Sequence, residues 1–208
     1  GKPTYSTSED NGETWSAGKI LCLPERTYSG RRPYVKISSN GKDRIHIALT
    51  DGHPRKEPEN SIYYMVYKGG AFYRANGEKI REEGDEPHTP RDCDVVYDAR
   101  VTGEKAWIWD VAEDRQGRPV VVYTRFQDDM NHLYGYAKWD GEAWNDHTLV
   151  NSGAWFPQTP EGEQEPEPNY SGGIVLDHED PSIVYLSVKR DTVFEIEKWT
   201  TANEGRSW

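Results

Sequence analysis

A short turn that ends in an aromatic residue recurs along the chain and constrains the fold more than any other feature. In each copy a glycine is followed three residues later by tryptophan or tyrosine, and successive copies stand about 64 residues apart. The four copies are Gly12–Trp15, Gly70–Tyr73, Gly141–Trp144 and Gly205–Trp208. A repeat of this period predicts an array of similar structural units, each built on the same chain path.

A second kind of turn separates runs of strand-forming residues within each unit. Asn40-Gly41 stands between Tyr34–Ile37 and the alternating run Ile45–Leu49, and Gln116-Gly117 and Asp180-Pro181 hold the corresponding positions. Such turns between apolar runs are hairpin signals. Each unit therefore predicts four antiparallel strands, and a repeating four-stranded meander is typical of β-propeller blades.

These units give the domain organisation. We expect an all-β chain with a half-blade over 1–30, blades over about 31–100, 101–150 and 172–208, and a long loop over 151–171. About three and a half blades do not close a ring, because propellers close with four to eight. Either the chain is part of a protein about twice as long, which we favour, or two copies pair.

Charge and cysteine content limit the partners. The formal net charge of −11 disfavours nucleic-acid phosphates and anionic lipid surfaces. No run of about 20 apolar residues is present, so we expect no membrane insertion. Cys22 and Cys93 leave three states open: one disulfide, two free thiols, or a metal ligand.

The first aromatic turn belongs to a longer motif. Ser8–Trp15 fills every position of the pattern S-x-D-x-G-x-T-W, and Thr201–Trp208 fits it with Asn203 for Asp and Ser207 for Thr. The acidic or amide side chain can cap its own turn, glycine supplies a positive φ, and tryptophan packs between blades. The motif resembles the Asp box, or BNR repeat, of sialidase-type propellers, where it is a structural hairpin remote from the central cleft.

A longer resemblance extends from Tyr34 to Trp208. It is carried by Asn40–His46, Thr50–Pro54, Asn60–Tyr64, Tyr134–Gly141, Tyr170–Gly173 and Leu176–Pro181. The sequence resembles a BNR-repeat family of bacterial secreted proteins that includes the ulvan lyase type of polysaccharide lyases. The resemblance implies a seven-bladed propeller, completed by further blades or by a second copy. It also implies a polysaccharide or glycan ligand and a secreted or periplasmic location, with the signal peptide outside this sequence.

The resemblance implies β-elimination on an anionic, uronate-containing polysaccharide. That reaction needs a cation to neutralise the carboxylate, a base for the C5 proton and an acid for the leaving oxygen. Arg, His and Tyr serve these roles in the ulvan lyases. We expect Arg125, on a predicted inner strand facing the cleft, to be the cation. The acid and base candidates are His46, His53, Tyr64, His132 and Tyr170.

The chemistry of such lyases requires no cofactor, although a structural ion is compatible with the family. His88 and Cys93 lie five residues apart and both are zinc-ligand types, so they are the candidates for a structural Zn²⁺ site. The many carboxylates leave Ca²⁺ open as well.

Two other functions stay open. One is a non-catalytic glycan-binding propeller whose aromatic cleft stacks on sugar faces. The other, which we favour less, is a sialidase-type glycoside hydrolase. Release of an unsaturated uronate, which absorbs in the ultraviolet, distinguishes the lyase from both.

Overall fold

The computed structural model describes residues 2–25, 32–154, 162–163 and 172–208. These residues form four separate antiparallel sheets, and the only α-helix in these ranges is the single turn Ala99–Thr102. Within the same ranges no helix has the length and apolar character to cross a membrane. The prediction of an all-β, partial propeller is confirmed.

The strands follow one another along the chain, sheet by sheet. The first sheet pairs β1 (Thr4–Tyr5) with β2 (Lys19–Ile20). The second contains β3 (Val35–Ser39), β4 (Ile45–Thr50), β5 (Ile62–Lys68), β6 (Ala71–Tyr73), β7 (Lys79–Glu82) and β8 (Asp94–Tyr97). The third contains β9 (Lys105–Glu113), β10 (Pro119–Phe126), β11 (His132–Trp139) and β12 (Trp144–Asn151). The fourth contains β13 (Ile174–Leu176), β14 (Ile183–Arg190) and β15 (Val193–Thr200).

The third sheet is the predicted four-stranded meander, but the second sheet is not. Its third strand, β5, pairs with β8 through Ile62–Tyr64 and with β6 through Val66–Lys68. The hairpin β6–β7 therefore extends one half of the sheet while β8 extends the other. The Asp94 carboxylate accepts the Ala75 N–H at 2.6 Å, which fixes the chain where it leaves β6. The prediction of four strands for this unit is thus corrected to six.

Aromatic and branched side chains fill the spaces between successive sheets. Tyr64, Ile108 and Tyr123 are buried between the second and third sheets. Tyr136 and Leu186 are buried between the third and fourth. Burying side chains of this size from water stabilises the fold by about 1.5–3 kcal/mol each, so stability depends on how completely each sheet covers its neighbour.

The two ends of the sheets differ in what they carry. β3, β9 and β13 are the first strands of their sheets, and we call the end at which they begin the upper end and the other the lower end. The turns at 40–44 and 114–118 lie at the lower end, since they follow β3 and β9. The segment between β4 and β5 lies at the upper end.

Candidate functional site

Two predicted residues, His46 and Tyr64, meet in a buried relay toward the lower end. His46 Nδ1 lies 2.7 Å from the Tyr64 hydroxyl, and His46 Nε2 lies 2.9 Å from a Glu113 carboxylate oxygen. An ionised carboxylate only accepts hydrogen bonds, so Nε2 carries the imidazole proton and Nδ1 accepts from Tyr64. β4, β5 and β9 each supply one of the three residues, so the relay joins the second and third sheets.

Burial sets the protonation of this relay. Desolvation lowers the pKa of His46 although Glu113 acts in the opposite direction, so the imidazole is neutral at pH 7. Desolvation also holds the pKa of Tyr64 well above its usual value, which keeps the phenol protonated. The relay can therefore pass a proton along Tyr64, His46 and Glu113, but it holds only the charge of the carboxylate.

Arg44 completes the relay on the turn side. Its guanidinium donates to Glu113 at 3.2 Å and to the Gly117 carbonyl at 3.1 Å. A Cβ at residue 117 would overlap the Arg44 guanidinium, and the φ of Gly117 is +75°. The positive φ favours glycine at this turn, and a larger residue would also displace the Arg44 guanidinium.

A cavity of about 440 Å³ opens beside the relay, between the second and third sheets. Arg44, His46 and Tyr64 line it together with Lys68 and Arg74. The two additional cations already have partners, since Lys68 lies 3.1 Å from Asp43 and Arg74 lies 3.5 Å from Glu78. His46 and Tyr64 are each only 1% exposed. We call this cavity the lower cleft.

His53, the third predicted residue, lies at the opposite end in an aromatic cluster. Its ring centroid is 5.6 Å from that of Tyr34 and 5.1 Å from that of Trp107, and Tyr34 and Trp107 are 4.8 Å apart. His53 Nδ1 accepts the Arg55 N–H at 3.1 Å, so Nε2 carries the proton of the neutral ring. The Arg32 guanidinium lies 5.0 Å from the Tyr34 ring centroid. We call Tyr34, His53 and Trp107 the upper aromatic cluster.

Arg125 does not lie on an innermost strand. It belongs to β10, the second strand of its sheet, where it pairs with Ala106 on one side and Leu133 on the other. Its guanidinium donates to the Thr148 hydroxyl and lies 3.7 Å from Glu104. The predicted strand is thus present, and it is flanked on both sides within its sheet. Arg125 is nevertheless near the upper end, one residue from the pair Phe126 and Lys105 that begins β9.

His132 is also near the upper end but is completely buried. It opens β11 opposite Phe126, whose ring centroid lies 4.8 Å away. Within the described residues neither ring nitrogen has a hydrogen-bond partner. Burial lowers the pKa of His132 to about 4, so the ring is neutral. Tyr170, the remaining predicted residue, lies outside the described residues.

The metal candidates are buried in the second sheet's core beside the first sheet. His88 packs its ring against Phe72 at a centroid distance of 4.4 Å. Cys93 and Cys22 are free, buried thiols, which excludes the disulfide left open by the sequence. Burial raises the pKa of Cys22 to about 12 and that of Cys93 well above its usual value. In the part of the chain that the structure describes, no three His, Cys, Asp or Glu side chains are grouped to hold a metal ion.

Sequence reasoning missed the partners of its own candidates. Glu113 ends β9, and its carboxylate reaches His46 from the third sheet. Tyr34 and Trp107 belong to strand-like runs in the sequence. The available signal is positional: Tyr34 immediately precedes β3, and Trp107 is the third residue of β9, in neighbouring units.

The fold is similar to that of a polysaccharide lyase, an ulvan lyase solved alone and bound to -[GlcA(1-4)Rha3S]-, with a TM-score of 0.69 and 15% identity. The match covers 98% of this chain and 48% of the lyase, so the chain spans about half the length of that protein. A Hadza microbial sialidase is similar with a TM-score of 0.57 and 12% identity, over 98% of this chain and 38% of the sialidase.

Sequence comparisons identify the family. No curated protein sequence matches the chain significantly. The model of the BNR repeat-containing family matches residues 3–152, which is well over half of the chain and includes both the lower cleft and the upper aromatic cluster. The chain therefore belongs to the BNR repeat-containing family.

Proposed function

We propose that this chain is part of a carbohydrate-active protein that binds a glycan across the upper end of its sheets. The observation that carries the proposal is the upper aromatic cluster, in which Tyr34, His53 and Trp107 from two neighbouring sheets form one ring-to-ring contact set. Aromatic faces with polar edges suit the apolar faces and hydroxyl groups of sugars.

The ligand class that we propose is an anionic, uronate-containing polysaccharide. The similar ulvan lyase was solved with a GlcA-containing oligosaccharide. A chain of net charge −11 repels a polyanion at long range, so local cations must supply the attraction. Arg32 lies against Tyr34 of the upper aromatic cluster, and Arg125 lies near the same end. Secretion would bring the protein to such a polymer and stays a prediction.

The reaction that we propose is β-elimination. A base removes the C5 proton, the electron pair forms the C4–C5 double bond, and the C4–oxygen bond breaks as an acid protonates the leaving oxygen. His53 is the proposed acid, and since Nδ1 accepts the Arg55 N–H, the proton transferred to the leaving oxygen would come from Nε2 of the protonated ring. Arg125 is the proposed carboxylate partner. The base is proposed to be His132 or Tyr170, since His46 and Tyr64 lie at the opposite end of the sheets from His53 and Arg125.

Non-catalytic glycan binding is the second candidate, and burial favours it. His46 and Tyr64 bond to each other, and His132 is fully buried. Groups in these positions reach a polymer only through the lower cleft or through a change in the structure. A protein that only binds needs none of them to be accessible.

Binding is tested first, by affinity electrophoresis and calorimetry with ulvan and with a neutral glucan. We expect Tyr34→Ala and His53→Ala to weaken ulvan binding at least about tenfold, which corresponds to about 1.4 kcal/mol. Tyr73→Ala removes an aromatic residue from the lower cleft and is the matched control, which should bind as the wild type does. If Tyr73→Ala alone weakens ulvan binding, the glycan binds in the lower cleft and not at the upper end.

Catalysis is tested by the ultraviolet absorbance of the unsaturated uronate released from ulvan. We expect absorbance with the wild type and its loss in Arg125→Ala and His53→Ala, whereas Arg206→Ala, at an exposed arginine of the C-terminal segment, keeps it. Binding of ulvan without release of the absorbing product would support the second candidate, non-catalytic glycan binding. Absence of binding to any anionic polysaccharide would contradict both.

A further inference from the structure

The lower cleft differs in charge from the chain that surrounds it. The chain has a formal net charge of −11, yet among the described residues that line this cavity none is an aspartate or a glutamate. The cations that line it are Arg44, Lys68 and Arg74. Such a lining favours an anionic group over a neutral or cationic one, although the chain as a whole repels anions at long range.

Both arginines of the lining keep hydrogen-bond donors for a ligand. Arg44 Nη1 donates to Glu113, and Arg74 Nη1 donates to the Cys93 carbonyl at 3.0 Å. The Nε atom of Arg74 lies 3.5 Å from Glu78. Within the described part of the chain, the Nη2 groups of Arg44 and Arg74 have no hydrogen-bond partner. A guanidinium held through Nη1 offers Nη2 in a fixed direction, which suits the oxygen of a carboxylate.

The rest of the lining suits a sugar ring. Val66, Ala75 and Pro119 supply apolar contacts, and the half-buried Tyr73 supplies a ring with a hydroxyl group. The carboxamide of Gln116 can both donate and accept hydrogen bonds. Apolar surface beside such polar groups matches a pyranose, which has apolar faces and a rim of hydroxyl groups. The volume of about 440 Å³ lies within the range of small-molecule sites, roughly 300–1,000 Å³.

The two sheets that form the lower cleft are each packed on both sides by other sheets of the chain. The second sheet packs against Leu21 and Cys22, which adjoin the first sheet, and the third sheet packs against Leu186 of the fourth. Gly117, in the turn after β9, lines the cavity at the lower end. The cleft is therefore an internal feature of the array, remote from the upper aromatic cluster.

We propose that the lower cleft is a second ligand site, which binds a small sugar acid such as a free uronate. Arg44, Lys68 and Arg74 supply the positive charge for its carboxylate, and Tyr73 and Gln116 meet its ring and hydroxyl groups. The volume is that of a small-molecule site, so the ligand is a free acid and not the interior of a polymer, whose chain continues on both sides of every ring. A ligand can occupy this cleft whether or not a glycan binds at the upper end.

Binding is tested by calorimetry with D-glucuronate, and with D-glucose as the uncharged comparison. We expect saturable binding of glucuronate at millimolar concentrations and none of glucose. Amide chemical shifts then locate the acid. Those of Gly77 and Gly117, which line the cleft, should move with glucuronate, while that of Gly52, in the segment between β4 and β5 at the upper end, should stay constant.

A charge variant tests the lining itself. Lys68→Gln removes one of the three cations at an exposed position, so folding should be retained, which circular dichroism checks. We expect it to weaken glucuronate binding at least about fivefold, because a charge-assisted hydrogen bond is lost. Lys68→Arg keeps the charge and should bind as the wild type does. Lys198→Gln is the matched control, an exposed lysine of the fourth sheet, and it should leave the affinity for glucuronate unchanged.

A variant of the upper end separates this site from the glycan site. Tyr34→Ala, expected to weaken ulvan binding, should leave the affinity for glucuronate unchanged. Weaker glucuronate binding in Tyr34→Ala, with no change in Lys68→Gln, would place the acid at the upper end and overturn the proposal. So would absence of glucuronate binding, or equal binding of glucose. Glucuronate binding that depends on Lys68 in a protein that does not bind ulvan would support the lower site and contradict only the function proposed for the upper end.

Discussion

The N-terminal octapeptide Ser8–Trp15 and the C-terminal octapeptide Thr201–Trp208 have the same internal hydrogen bonds but different surroundings. In the N-terminal one Asp10 accepts the Thr14 N–H at 2.9 Å, and Trp15 Nε1 donates to the Gly12 carbonyl at 3.1 Å. In the C-terminal one Asn203 accepts the Ser207 N–H at 2.9 Å, and Trp208 Nε1 donates to the Gly205 carbonyl at 3.0 Å. Gly205 is buried against the third sheet, whereas Gly12 is exposed.

The comparison separates what the motif does by itself from what a neighbouring sheet adds. The hydrogen bonds form with or without a neighbour, because they close within eight residues. Burial of the tryptophan requires a second sheet in contact with it. The same eight positions thus make an exposed turn in one place and part of a core in the other.

The largest difference is expected at the two glycines. At Gly205 a Cβ would lie 2.6 Å from Tyr136, and the positive φ adds backbone strain, so Gly205→Ala should reduce the free energy of unfolding by about 3 kcal/mol. At Gly12 the nearest atom would be 3.7 Å away, so Gly12→Ala should cost only the strain, about 1 kcal/mol. Denaturant unfolding measures both, and equal losses would contradict the comparison.

Substitutions of the two tryptophans should differ less in their effect on the free energy of unfolding. Trp208 is half-buried and packs against Tyr136, so Trp208→Ala should destabilise the fold by about 2 kcal/mol. Trp15→Ala should change the stability of the isolated chain by less than about 0.5 kcal/mol. Thermal unfolding gives the two values; a large loss from Trp15→Ala would indicate a covered Trp15.

The smallest difference is in the response to acid. Hydrogen bonds from Thr14 and Ser8 lower the pKa of Asp10 to about 2. Its contribution to stability is complete above its ordinary pKa near 4 and is lost as the pH falls toward 2. Asn203 does not titrate. Amide chemical shifts of Thr14 should therefore change with an apparent pKa of about 2, while those of Ser207 stay constant.

Substitution provides the control for that titration. Asp10→Asn gives the N-terminal octapeptide the side chain that the C-terminal one already has. Its Thr14 shift should then be independent of pH across this range. A transition that persists in Asp10→Asn would assign it to another carboxylate.

Local patterns predicted the fold because propeller strands and turns are determined over short stretches. The Asn40-Gly41 and Gln116-Gly117 turns and the alternating strands beside them appear where they were expected. The split of β5 between β6 and β8 was not predictable, since the Asp94 bond to Ala75 joins residues 19 positions apart.

The candidate site was less predictable for a related reason. Sequence spacing suggested His46 and Tyr64, but their contact depends on the register of β4 against β5. Glu113 comes from a different sheet, so no local pattern links it to His46. Arg125 lies on the expected strand, but its contacts with Thr148 and Glu104 come from other elements that no local pattern links to it.

The burial of three histidines makes the fold sensitive to acid. His88 and His132 have pKa values lowered to about 4, and that of His46 is lowered as well. The unfolded chain binds protons at these rings near pH 6.5, before the folded protein does, so protonation favours unfolding. Stability is complete above that pH and declines as the pH falls from 6.5 toward 4. Such a fold is more stable in a neutral or mildly alkaline medium than in an acidic one, because the three buried rings must take up protons as the chain unfolds.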